Sequence, residues 1–262
     1  MAAEARIAAL PGFAVLFQTE LLDARRSKRL IAFLIIMTGV LLLVPVIAYF
    51  NVENYASSGR ILLNQNDMDG LMGTWAAIVG YLGSLMVIAA TVDALTQERA
   101  VGVTAWIITK PVSRLSYLLA KATAHSAVAS VTIVIVPTIV WYVVTALLFR
   151  GISIPAVAGG SLILCIEMAF LSFAVIAIGV AFRSVAPIAI IALAVWFLPA
   201  VIPAISLLNW TAKVLPAYLP VAAVSAAISQ TGSSTYTIPL AAIGIAAVAF
   251  TLAVLHFERQ EL

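Results

Sequence analysis

Between two long apolar runs the chain reads Asp93-Ala94-Leu95-Thr96-Gln97-Glu98-Arg99-Ala100-Val101-Gly102-Val103-Thr104-Ala105-Trp106-Ile107-Ile108-Thr109-Lys110-Pro111-Val112-Ser113-Arg114, closing at Lys121. The flanking runs, 71 to 92 and 122 to 149, contain no Asp, Glu, Lys or Arg. Each is long enough to cross a bilayer core of about 30 Å, which takes roughly 20 residues of helix. An acid-base pair, a glycine break, an apolar patch and a Pro-Val-Ser-Arg turn, held between two such runs, read as a short cytosolic element shaped to meet a partner.

Working outward, further apolar runs lie near 30 to 50, 155 to 182, 185 to 208 and 237 to 257, making six predicted spans. The 262-residue chain is 64% hydrophobic and 10% charged, with a mean hydropathy of +1.15. Soluble domains carry about 45–50% apolar and 25% charged residues, so this is a polytopic membrane protein. No period-2 alternation of a membrane barrel is present, and continuous Leu, Ile, Val and Ala satisfy their backbone in lipid only as helices. The fold class is an all-α membrane protein.

Orientation follows from the basic residues, which are retained on the cytoplasmic side. With the N-terminus inside, Arg6, Arg25, Arg26, Lys28, Arg29, Arg99, Lys110, Arg114, Lys121, Arg183 and Arg259 fall inside, and Arg60, Arg150 and Lys213 outside. Both termini are expected in the cytoplasm and the protein in the cytoplasmic (inner) membrane. The positive charge of +3 is explained by topology and implies no nucleic acid. Residues 1–29 form a first unit: Phe13, Leu16, Phe17, Leu21 and Ala24 recur at helical spacing, as in an interfacial amphipathic helix. Glu4, Pro11 and the late basic cluster do not fit a secretory signal. Residues 30–262 form the transmembrane unit. Within it, Pro199, Pro203, Pro216 and Pro220 break the chain between spans five and six into expected short external or re-entrant helices. Tyr49, Phe50, Trp75, Phe149, Trp210, Tyr218 and Tyr236 are expected in an aromatic belt. Gly80 and Ser84 make one small-xxx-small step that permits close helix approach.

Reaction chemistry is missing from the sequence. There is no phosphate loop, H-E-x-x-H, G-x-S-x-G or cysteine-histidine cluster, so no catalytic, cofactor-binding or metal residues are assigned. Cys165 has no second cysteine to pair with, and His125 and His256 read as interfacial. Glu167 is the one acid expected deep in a span, where a charge costs about 2.5–3.5 kcal/mol. It is either a protonated acid packed against a neighbouring helix or part of a substrate pathway. Asp93, at the end of a span, is expected to bridge Arg99 or Lys121.

Thr96-Gln97-Glu98-Arg99-Ala100-Val101-Gly102-Val103-Thr104, Lys110-Pro111-Val112-Ser113-Arg114 and Leu118-Leu119-Ala120-Lys121 resemble the loop between the second and third spans of type-2 permeases of ATP-binding cassette (ABC) transporters. Ala120 replaces that family's usual glycine before lysine, and Val103 separates Gly102 from Thr104. The resemblance implies a permease subunit, exporter architecture, and a coupling helix within 96–121 seated in a separate ABC ATPase. ATP and Mg would sit on that partner and none in this chain. A second permease copy or paralogue completes the assembly. Glu98, Arg99 and Arg114 would set register at the rim of the contact. Gly102 would end a short helix, Trp106 and Ile107 would anchor it, and Pro111 belongs to the turn. The alternatives are a non-transporting membrane subunit that transmits force or anchors an ATPase-linked assembly, and an ion-driven secondary carrier.

Overall fold

A computed structural model describes residues 12–51, 61–96, 113–182, 184–201, 216–228 and 233–259. Helix α1 (Phe13–Arg26) leads into α2 (Lys28–Asn51). Helix α3 (Gln65–Thr91) and helix α4 (Arg114–Leu148) follow, then α5 (Ile154–Ala181), α6 (Val185–Val201), α7 (Leu219–Ala227) and α8 (Ser233–Arg259). Two short parallel strands, β1 (Ile61–Leu62) and β2 (Phe149–Arg150), tie the loop before α3 to the end of α4. Gly151, at φ 97, turns the chain from β2 towards α5, a backbone geometry that a Cβ disfavours.

Among the described residues, five helices are long and apolar enough to cross a membrane: α2, α3, α4, α5 and Thr237–Phe257 within α8. The fifth expected run, 185 to 208, holds the 17-residue α6 and then passes outside the described residues. The proline-rich segment yields a 3-10 turn at Pro216–Tyr218 and the nine-residue α7.

Helix α5 is the centre of the bundle and packs against α8, α7, α4, α3 and α6. Its buried residues, Val157, Leu164, Met168, Leu171 and Val175 among them, wrap the helix instead of forming one stripe, as expected of a helix enclosed by others. Helix α2 is the opposite case, burying only Met37, Leu41 and Pro45. In α1, the expected stripe of Phe13, Leu16, Phe17, Leu21 and Ala24 is half-buried, and the helix lies along α4.

Helices α3 and α4 each contain a π-helical turn, Ile78–Leu82 and Ser130–Ile135. The second directly precedes Pro137, which has no N–H to donate and whose ring crowds the carbonyl four residues back, so a widened turn relieves the clash. The two turns meet at Gly83, where a Cβ would lie 2.8 Å from Ile133 Cγ2.

The aromatic belt needs correction. Trp75 is fully buried, stacks on Trp141 at 5.4 Å and donates from Nε1 to Thr138 Oγ1 at 3.1 Å. Phe149 is also buried, whereas Phe50 is 75% exposed. Closeness to a span end said nothing about which way these rings face. Gly160 makes room for Trp75: a Cβ there would sit 3.0 Å from the indole and 3.0 Å from Ala223 O, while its neighbour Gly159 faces open space. Gly160→Val should therefore cost about 1–3 kcal/mol by overpacking, and Gly159→Ala should be neutral or slightly stabilising. Thermal unfolding of the two variants in detergent checks this, and equal melting temperatures would refute the close approach.

Candidate functional site

Glu98, Arg99, Gly102, Trp106, Ile107 and Pro111 lie outside the described residues, and Arg114 is where the structure rejoins the expected docking segment. Ser113 opens α4 as its N-cap: its Oγ accepts from Ser116 N–H at 3.0 Å, satisfying one of the donors a helix start leaves bare. The helix thus begins well before the apolar run at 122, and the last residues of the 96–121 segment are its first two turns. Arg114 reaches across to the end of α8, where Nη1 donates to Phe257 O at 2.6 Å and the guanidinium lies 5.7 Å from the Phe257 ring. A cation on the terminal carbonyls of a helix is favoured by both hydrogen bonding and the helix dipole. Tyr117 stacks on the same ring at 6.4 Å.

One turn further, Lys121 is almost wholly enclosed and donates to Glu20 Oε1 at 2.6 Å, joining α4 to α1. His125 Nε2 is 3.9 Å from the other Glu20 oxygen. Asp93 pairs with Arg29 Nη1 at 3.1 Å, and the same Arg29 nitrogen also donates to Ala89 O. This bridge joins α2 to the end of α3; Arg99, one of the partners expected for Asp93, lies outside the described residues. These charged groups border a polar cavity of about 410 Å³ between α1 and the spans.

Glu167, the other candidate, is at mid-length of α5 and fully buried. Ser84 Oγ lies 2.6 Å from both Glu167 Oε1 and Gly80 O. One hydroxyl proton cannot serve two acceptors, so the set is complete when the carboxyl carries a proton of its own. Glu167 Oε2 has no hydrogen-bond partner among the described residues. Pro220 of α7 closes the site: a Cβ on Gly80 would come 2.5 Å from Pro220 Cγ. The Gly80-Ser84 step therefore brings α7 close to α3 and supplies the hydroxyl for Glu167. Among the described residues, no three His, Cys, Asp or Glu side chains gather as metal ligands.

A family model described as ABC-2 family transporter protein matches residues 14–262. The chain belongs to the ABC-2 transporter family. No curated protein matches it. The ABC-2 assignment makes the chain a multi-pass transmembrane component that is not itself catalytic. Sequence reasoning found Arg114, Lys121, Asp93 and Glu167 in this ABC-2 chain but missed Glu20, Arg29 and Ser84 as their partners. Glu20 lies 101 residues from Lys121, and no local periodicity encodes such a pairing. Its one trace was an acid set in the inward stripe of α1.

Two substitutions test these contacts. Glu20→Ala leaves the enclosed Lys121 ammonium without that carboxylate, and breaking a buried pair of this kind costs on the order of 3 kcal/mol. The swap Glu20→Lys with Lys121→Glu should recover part of the lost melting temperature, and no recovery would mean that the pair is incidental. At the second centre, Glu167→Gln should melt near the native temperature because the amide keeps a partner for Ser84. Glu167→Ala should lose roughly 2–4 kcal/mol through cavity and hydrogen-bond loss; the reverse order in thermal unfolding would exclude the neutral-acid description.

Proposed function

We propose that this ABC-2 family chain is the permease subunit of an ABC exporter, driven by ATP hydrolysis in a separate ATPase docked on the 96–121 segment. What carries the proposal is the root of that segment. Within three helical turns of Ser113, Arg114 holds the end of α8 and Lys121 holds α1. Asp93, at the other root, holds α2 through Arg29. Any displacement of the intervening residues is thereby delivered to α3 and α4 and, through these ties, to α1, α2 and α8.

In this scheme two permease copies, or this chain and a paralogue, face each other with two ATPases on the cytoplasmic side of the inner membrane. The apolar run 185 to 208 makes the sixth crossing, both termini are cytoplasmic, and α1 lies in the membrane interface. Trp106 and Ile107 anchor the docking helix, Glu98 and Arg99 set its register, and Gly102 and Pro111 bound it. ATP and Mg bind the partner; closure of the ATPase pair favours one of two states of the bundle because nucleotide binds the closed pair better. Arg114, already engaged with α8, acts as the hinge post of the segment more than as a rim contact. Full enclosure of Glu167 favours a packing role for this acid over a place on the pathway.

Co-expression with the ATPase encoded nearest to the chain tests the assignment. The native chain should co-elute with it and support ATP turnover, and Trp106→Ala should reduce both while membrane insertion is kept. Normal stoichiometry and turnover in Trp106→Ala would sink the docking role. Proton-driven flux without any ATPase would transfer the protein to the secondary carriers.

A further inference from the structure

At the end of the bundle away from Arg29 and Lys121, α2 and the first half of α3 diverge around an open cleft of about 610 Å³. Its walls are apolar, with Val40, Val44 and Ile47 on one side and Leu71 and Ile78 on the other. The rim is polar, made by Asn51, Asn66 and Asp67. From Val40 to Asn51 the helix rises about 16 Å at 1.5 Å per residue, close to half of a bilayer core of about 30 Å. The cleft is thus one leaflet deep, with its polar rim at one membrane surface and its apolar floor near the midplane.

The rim also has a sign. Among the described residues Asp67 is the only ionisable side chain lining the cleft, and its carboxylate has no hydrogen-bond or ion-pair partner among them. Asn51 Nδ2 and Thr74 Oγ1, both from residues lining the cleft, already donate to their own helices, at Ile47 O and Gly70 O, which leaves their oxygens able to accept. An acid in the first turn of α3 also suits the helix dipole, but that does not require an open apolar trough below it. Gly70 lines the trough, and a Cβ there would meet nothing within 4 Å.

We propose that this cleft binds one long-chain amphiphile with a protonated primary-amine headgroup, the amine at Asp67 and the tail against α2 and α3 down to the midplane. Charge complementarity selects the head, and the depth of the trough selects a tail of single-leaflet length. The site lies within one chain and needs no ATPase, so its failure would leave the ATP-coupled role standing, and the reverse also holds.

The full chain in phosphatidylcholine vesicles can be photolabelled with a photoactivatable octadecylamine and with the matched octadecanoic acid. The amine should label 40–51 and 63–78 roughly five-fold more than the acid. Gly70→Phe, which fills the trough without a backbone clash, should abolish this labelling, whereas Gly244→Phe, at another open glycine, should leave it intact. Asp67→Asn should bring amine and acid labelling to parity, a readout that does not depend on filling the cleft. Equal labelling of the native chain by the two probes, or labelling confined to other segments, would each overturn the proposal.

Discussion

A bilayer gives one apolar helix no hydrophobic reason to leave lipid for another, so a bundle in lipid is held by close packing and by polar contacts that lipid cannot replace. This structure meets that constraint around α5. Gly160 on α5 admits the Trp75 indole, Gly179 admits Leu95, and on α3 Gly80 admits Pro220 while Gly83 admits Ile133. Each is a place where a side chain would hold two backbones apart. The short α7, too brief to span on its own, is stable there because Pro220 and Ala223 fit against those glycines. Helix α2 has little of this packing, and it is also the helix that leaves a cleft beside it.

Glu167 is the costliest residue in that packing and therefore the one whose presence most needs a reason. An apolar side chain of similar volume would fill the space without a desolvation penalty, as replacements of buried ionic groups often show. What an apolar side chain cannot do is select among the rotations of α5 against α3. With Ser84 as the partner and Gly80 O sharing the same hydroxyl, the carboxyl accepts one register: the π turn of α3 beside the middle of α5 and Pro220 above both. Register, more than stability, is the contribution that its chemistry explains.

The spans were legible because lipid allows few backbone solutions, and the 3.6-residue stripe of α1 was legible because it is half-buried on one side only. Facing direction inside the bundle was not legible. Trp75 sits near a span end exactly as an interfacial anchor would, yet its indole is drawn inward by the gap that Gly160 leaves and by the Thr138 hydroxyl on another helix. The pairing of Lys121 with Glu20 was hidden for the same reason: a sequence records which charges exist, and tertiary packing decides which of them meet. Asp93 makes the same point, since α2 brings Arg29, 64 residues away in the chain, to 3.1 Å.

The polar ties of the described bundle divide between its two ends by kind. At the end that carries Ser113, ion pairs and a charged hydrogen bond link α1, α2, α3, α4 and α8. At the other end, β1 and β2 join two loops by backbone pairing, Gln65 bonds Asp69 within one turn, and α2 stands apart from α3. Charged contacts resist separation but tolerate sliding less well than apolar surfaces do, because their geometry is directional. A load applied near Ser113 would therefore move the tied helices together instead of shifting one helix past the others.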